Sequence, residues 1–487
     1  MNLTIFQCFH WYNTPEERLW VFLQEKAGYF AELGITHVWL PPAYKSAMGA
    51  GEPGYAVYDL YDLGEFDQKG SVPTRYGTLQ EYKAAIDRLH EAGIKVLADI
   101  VLNHKLGGDK EEQIPVVTVD AENRKKWISE EHWVSAPTLF TFPGRAGKYS
   151  DFIWDHRCFT GLKLNDEIKL IRHEYTDKGW DDVPAQDRGS FDYLMGCDIE
   201  FRNPYVREEL KKWAVWYREK VGFDGWRLDG LKHISYDFFP EWLNATGEIF
   251  PQKPLVIGEY WNGDMEPLNN YLEKTGYCMQ LFDVPLHFRF FEGASRLHEF
   301  DLRTIRDGTL MHTKPEYAIT FVDNHDTQPK QSLESFVGAN FKTHAYAFIL
   351  LREQGIPCVF YADFFGASYH DGGDENNQEK IVIEKVSFLE QLMRIRKEKA
   401  YGPQSDHFDS PNLIGWTRQG TDDSHTGCAV LLNTGDTAEL SMEMGQKNGG
   451  RKMVVAGNND LSVTLDEQGK GNFTAQGNIV TIYVFQD

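Results

Sequence analysis

Three carboxylates stand in segments that would do chemistry: Asp229 in Gly225-Trp-Arg-Leu-Asp229, Glu259 in Gly258-Glu-Tyr-Trp261 and Asp326 in Asp323-Asn-His-Asp326. Arg227 precedes Asp229 by two residues, a spacing that puts both side chains on one face of a strand. Its permanent positive charge would keep Asp229 ionised, as a nucleophile must be. Glu259 has no basic neighbour in sequence and is followed by Tyr260 and Trp261. A less polar setting would raise its pKa toward neutrality, which suits a general acid. One ionised and one protonated carboxyl are what glycosidic cleavage needs. Its transition state resembles an oxocarbenium cation, which one group attacks or stabilises while the other protonates the leaving oxygen. Taken singly, the segments have plainer readings. Asn-His-Asp is a common turn or helix cap, and Arg227–Asp229 would serve as a structural ion pair.

These residues need a frame that brings them together. Strand-like runs occur at Leu3–Cys8, His37–Leu40, Val96–Val101, Gly225–Leu228, Leu255–Gly258, Met279–Phe282, Ala318–Val322 and Cys358–Tyr361. Helical periodicity lies between them, across Leu79–Ala92, Val206–Val221, Ala345–Gln354 and Val386–Lys397. Eight strands alternating with helices predict an α/β fold, a closed (β/α)8 TIM barrel, whose active site lies at the C-terminal strand ends. Asp229, Glu259 and Asp326 then leave strands four, five and seven at one rim. The connection from strand three to strand four is many times longer than a crossover helix needs. Residues 104–204 are therefore expected to form an inserted small domain. The barrel is expected to comprise 1–103 and 205–397. Beyond it, Cys428–Leu432, Lys452–Val455, Val463–Leu465 and Ile479–Phe485 alternate between Asn-Gly and Gly-Asn turns. That pattern predicts an antiparallel C-terminal β-sandwich over 398–487.

Composition narrows the partners. Of 487 residues, 50 are Lys or Arg and 73 are Asp or Glu, a formal charge of −23. Such a field repels phosphate backbones and anionic lipid, which argues against nucleic acid and membrane, while a neutral polymer is indifferent to it. The aromatic share of 14% fits either a large core or a sugar cleft. Six scattered cysteines without CxxC spacing read as thiols in a reducing compartment. With no basic, apolar and cleavage-site pattern near Met1, and no apolar run of spanning length, the expectation is a soluble cytoplasmic protein, taken as a monomer.

The segments DIVLNH, GWRLDGLKH, GEYW and FVDNHD resemble the four signature regions of the α-amylase family of glycoside hydrolases, and LMGCD (Leu194–Asp198) resembles the fifth. Within that family, QCFHWY, VWLPPAYK, YDLYDLGEFDQKGSVPT and NHDTQP are similar to the bacterial cytoplasmic members. The resemblance spans essentially the whole chain. It implies Asp229 as nucleophile, Glu259 as acid/base and Asp326 as a third carboxylate that binds sugar hydroxyls and helps distort the ring. It further implies that Arg227 supports Asp229, that His104 and His325 hydrogen-bond the sugar at the cleaved position, and that Tyr55 stacks on it. Trp11, Lys232, His233 and Trp261 would wall neighbouring sugar sites. A structural calcium is implied at Asn103, Asp192, Asp198 and the His233 carbonyl, all hard oxygen donors, with no catalytic metal.

Two departures stand out. Gly230 replaces the family's usual Ala after the nucleophile, a change expected to alter packing only. Thr160 stands in a run that in secreted liquefying relatives supplies an Asp to a multi-metal cluster, so a further ion there is doubtful. The activity implied is endo hydrolysis of α-1,4-glucosidic bonds in starch, glycogen and maltodextrins by double displacement. A maltooligosaccharide-forming exo-amylase, an α-glucosidase or a glucan transferase would use the same residues. A non-catalytic glucan-binding homologue would lack Asp229 or Glu259, and both are present.

Overall fold

The structure, a computed structural model, describes residues 2–370, 379–421 and 425–486. Eight short parallel strands close a barrel: β1 (Ile5–Gln7), β2 (His37–Trp39), β3 (Lys95–Ile100), β4 (Gly225–Leu228), β5 (Val256–Gly258), β6 (Gln280–Phe282), β7 (Ala318–Phe321) and β8 (Ile356–Phe360). Each pairs with its sequence neighbours, and β8 closes on β1 through Ile5 opposite Cys358. All eight are the strands expected from the sequence, each placed within a few residues. They are buried almost throughout, which is why they read as apolar runs rather than alternating ones.

The helices between them carry their own punctuation. Leu79–Glu91 begins with a capping box in which the Thr78 hydroxyl and the Glu81 carboxylate each satisfy the other's backbone N–H. Pro204–Val221 starts at the Asn203 cap, with proline in the first turn where no N–H is needed. It ends on Gly222, whose φ of 85° closes a left-handed C-cap.

The long connection after β3 folds into a six-stranded antiparallel sheet, in spatial order His104–Lys105, Cys197–Ile199, Phe159–Leu164, Glu167–Ile171, Lys110–Thr118 and His132–Leu139. Its small core gathers Val117, Val119, Leu170, Trp180 and Tyr193. Because the first two of these strands pair, the insert leaves and rejoins the barrel at one place beside the β3 end.

After the helix Leu389–Glu398, six antiparallel strands form a sheet, and a two-stranded antiparallel sheet of Ala438–Glu443 with Lys470–Ala475 covers one face. Leu413, Leu431, Met442, Met453, Phe473 and Phe485 fill the space between. The other face packs on the barrel, where Trp416 meets Phe348 edge-on and donates its indole N–H to Leu351 O. All six cysteines are unpaired thiols. Among the described residues, no helix is long and apolar enough to cross a membrane.

Candidate active site

The site is organised around one buried guanidinium. Arg227 on β4 lies opposite Asp99 on β3 and Ile257 on β5. Its Nη1 donates to Asp99 Oδ1 at 2.9 Å and to Asp229 Oδ1 at 2.6 Å, and its Nη2 approaches Glu259 Oε2 at 3.4 Å. Behind it the ring of Trp39 lies 4.9 Å from the guanidinium carbon. One cation thus touches both central carboxylates, which join the barrel rim where β4 and β5 end.

Those carboxylates have different surroundings. Asp229 is fixed by its short bond to Arg227 and keeps 14% of its side chain exposed. Glu259 accepts the Gly230 N–H at 3.1 Å, and burial, with the Asp229 charge adding to it, pushes its carboxyl up to about 7. Asp326 is likewise raised, by burial and then by the charge of Glu259. The Asp326 loop is held by Asn324, whose Oδ1 accepts the backbone N–H groups of Asp326 and Thr327. Burial and mutual repulsion thus raise two of the three carboxyls that share the cleft.

Trp11, Tyr55 and His325 make an aromatic wall. Tyr55 lies 4.9 Å from the His325 ring at 14° and 5.5 Å from Trp11 at 16°. The Tyr55 hydroxyl donates to Asp99 Oδ2 at 2.7 Å. His325 Nε2 is 3.3 Å from Asp326 Oδ2, and burial, then the Arg227 charge, keeps the imidazole neutral. His104 is buried and donates its Nε2–H to the Tyr55 carbonyl at 2.8 Å, so here it holds Tyr55 in place. Lys232 Nζ points to the Trp261 carbonyl at 3.4 Å. Trp261 packs against His287, Phe288 and Phe321 on the β6–β7 side. His233 is buried and donates Nδ1–H to Phe191 O at 2.6 Å.

Sequence reasoning did not single out Asp99 or Trp39. Asp99 is the hub of the network, accepting Arg227, the Tyr55 hydroxyl and the Trp39 indole N–H at 2.9 Å. The available signal was an acidic residue inside the apolar run of β3, a position that burial forbids without partners. Gly230 is more than a packing change: its φ of 59° is left-handed, and glycine takes it without strain. That turn aims the Gly230 N–H at Glu259.

The implied metal ligands lie where the insert rejoins β3. Asn103 Nδ2 donates to Asp198 Oδ1 at 3.1 Å, leaving Asn103 Oδ1 and Asp198 Oδ2 buried without a protein partner. Asp192 is buried nearby, and burial, then the other acids, raises both aspartates well above the usual carboxylate range. The His233–Phe191 bond holds the short 3-10 turn Leu231–His233, just after β4, against the loop that carries Asp192. Among the described residues, no three His, Cys, Asp or Glu side chains converge as a metal cluster, so an ion here would draw on the Asn103 amide and a backbone carbonyl as well.

A parallel barrel with carboxylates at the ends of β4, β5 and β7, one bonded closely to Arg227 and one pushed up to about 7, is the arrangement of a glycoside hydrolase site. The family described as "Alpha amylase, catalytic domain" matches residues 22–388. The cytoplasmic α-amylase of Escherichia coli (strain K12) is 42% identical, over 100% of this chain and 99% of its own length. The α-amylase of Bacillus licheniformis is 42% identical over 99% of this chain and 94% of its own, and the glucan 1,4-α-maltohexaosidase of Bacillus sp. (strain 707) is 38% identical over 99% and 92%. An acarbose-complexed α-amylase from Geobacillus thermoleovorans superposes with a TM-score of 0.66 at 18% identity, over 100% of this chain and 98% of that one. The chain belongs to the α-amylase family of glycoside hydrolases.

Proposed function

We propose that the chain cleaves internal α-1,4-glucosidic bonds of starch, glycogen and maltodextrins with retention of configuration, Asp229 acting as nucleophile and Glu259 as acid/base. The observation that carries this is Arg227, which contacts both carboxyls yet bonds Asp229 far more closely than Glu259. Sharing one guanidinium keeps the pair close, as the separation of about 5–5.5 Å in retaining enzymes requires. Glu259 gives its proton to the leaving oxygen as Asp229 attacks the anomeric carbon. The resulting carboxylate then takes a proton from water, which displaces Asp229 and restores the α anomer. Asp326, its carboxyl raised by burial and the neighbouring Glu259, faces the same cleft to hydrogen-bond sugar hydroxyls. Trp11 and Tyr55 supply apolar surface for a sugar face, with Lys232 and Trp261 on the other side of the cleft.

The test is hydrolysis of maltoheptaoside blocked at its non-reducing end, followed early by proton NMR. Internal cleavage giving α-anomeric reducing ends is expected. Cleavage confined to unblocked chains would favour an exo mode, and a β-anomer burst would point to single displacement.

A structural calcium fits the orphaned oxygens of Asn103 and Asp198 together with Asp192 and the His233 carbonyl. Such an ion would supply the counter-charge these buried acids lack and would tie the insert to the barrel. Because it binds only the folded state, raising calcium is expected to raise the melting temperature, and chelation to lower it before activity falls. Asp198→Ala should melt like the chelated protein and ignore added calcium. An unchanged melting temperature in a sample shown metal-free by elemental analysis would remove the ion from this account. The six unpaired thiols support a cytoplasmic enzyme, and the charge of −23 a neutral glucan rather than an anionic partner.

A further inference from the structure

His325 is clamped by aromatic rings, which leaves only its two nitrogens to meet polar groups. Tyr55 and Trp11 lie nearly parallel to the imidazole, with centroids at 4.9 Å and 6.0 Å and angles of 14° and 9°. Phe9 and Trp39 close on it at 5.1 Å and 5.7 Å. Nε2 faces Asp326 Oδ2 at 3.3 Å, and Nδ1 lies 3.0 Å from the side-chain amide nitrogen of Gln7. Gln7 is the last residue of β1, opposite Trp39 on β2 and Phe360 on β8, and it is fully buried. Its Oε1 is buried too, without a protein partner.

A buried carbonyl left in that state destabilises the fold, and an apolar side chain of the same shape would avoid the cost. Its strand neighbours Phe6 and Cys8 are enclosed as well, so packing alone favours an apolar residue here. What the amide contributes is an N–H for His325. A neutral imidazole has one donor and one acceptor nitrogen, and the hydrogen bond made at one sets the role of the other. With Nδ1 accepting from Gln7, the single ring proton sits on Nε2 and meets Asp326 as a donor rather than as a lone pair. Burial, then the Arg227 charge, keeps the ring from taking a second proton. We infer that Gln7 is a positioning residue that fixes the tautomer of His325, so that an N–H is presented to Asp326 and to the sugar hydroxyls gathered there. This deepens the hydrolytic reading above, in which Asp326 acts on the sugar, but the tautomer itself is read without turnover.

The experiment is proton–nitrogen NMR on protein labelled with nitrogen-15 histidine. Coupling from the Cδ2 proton tells Nε2 from Nδ1, and the nitrogen shift tells a protonated atom from a bare one. The His325 signals are those missing from His325→Asn. In the unaltered protein Nε2 is expected to be protonated and Nδ1 bare. Gln7→Met keeps the length of the side chain and removes the donor. Its two His325 nitrogen shifts should move toward each other as the tautomers mix. On maltoheptaose its kcat should fall about tenfold, the worth of one misdirected neutral hydrogen bond, with KM changed less. The melting temperature should not drop, because the orphaned carbonyl leaves with the amide. A proton on Nδ1 in the unaltered protein overturns the inference, as does a Gln7→Met variant that keeps either the single tautomer or the full rate. A variant that melts early or does not fold places Gln7 among the residues that merely hold the barrel, and the inference fails there too. If the unaltered protein does not cleave maltoheptaose, the hydrolytic reading falls, while the two tautomer measurements still decide this one.

Discussion

Replacing Asp229 by Asn leaves the protein folded and lowers turnover on starch by several orders of magnitude. The amide is nearly isosteric with the carboxylate, and its oxygen still accepts the Arg227 Nη1–H now given to Asp229. Arg227 also keeps its bond to Asp99, so the buried cation is not left alone. What is lost is the nucleophile: an amide oxygen cannot form the covalent glycosyl intermediate at a useful rate. The melting temperature is therefore expected to stay close to that of the unaltered protein while kcat collapses. A variant retaining more than roughly a tenth of the original rate would remove Asp229 from the role, because losing a nucleophile costs far more than tenfold. A second readout is independent of rate. The Asp229 charge helps hold the Glu259 carboxyl high, so Asp229→Asn should move the Glu259 titration to lower pH.

The barrel was legible because buried parallel strands write themselves as short Val, Ile and Leu runs between amphipathic helices. Strand ends then located Asp229, Glu259 and Asp326 without any contact being known. The helix Ala339–Leu351 was placed six residues late at its start, and the reason is burial. Nearly every residue from Phe341 onward is enclosed, including Lys342 and His344, so no solvent face marks a period. Cys428–Asn433 shows the same effect in a strand, buried on both faces between the barrel and the covering two-stranded sheet. The insert's strands lay hidden for another reason: Lys110–Thr118 opens with a charged, exposed stretch, His132–Leu139 turns Trp133 and Pro137 outward, and each holds a proline, so neither shows a clean alternation. Asp99 was missed because its partners come from three places, Trp39 on β2, Tyr55 in a loop and Arg227 on β4. Such a hub is visible only when strand register is known.

The basic side of the pH–rate profile should report Glu259. As general acid it must carry its proton when the glycosidic oxygen leaves, and its setting places that titration at about 7. The sign follows from the charge: below this value the carboxyl is protonated and competent, and as pH rises through it the acid is lost and kcat/KM falls. Two causes raise the group, burial first and the Asp229 charge second, with Arg227 opposing them at 3.4 Å. Glu259→Gln cannot donate a proton. It is expected to lose the basic limb altogether and to reduce starch hydrolysis by orders of magnitude, because an alkoxide is a poor leaving group. An aryl glucoside with an activated phenol departs with little protonation, so its glycosylation step should survive much better, visible as a burst of phenol before slow turnover. Adding azide should then speed deglycosylation of the activated substrate, as a small anion needs no general base to attack. Equal losses in the glycosylation step for both leaving groups, or an unchanged basic limb in the variant, would assign the proton to another residue. Asp326, the other raised carboxyl in the cleft, would be the first to examine.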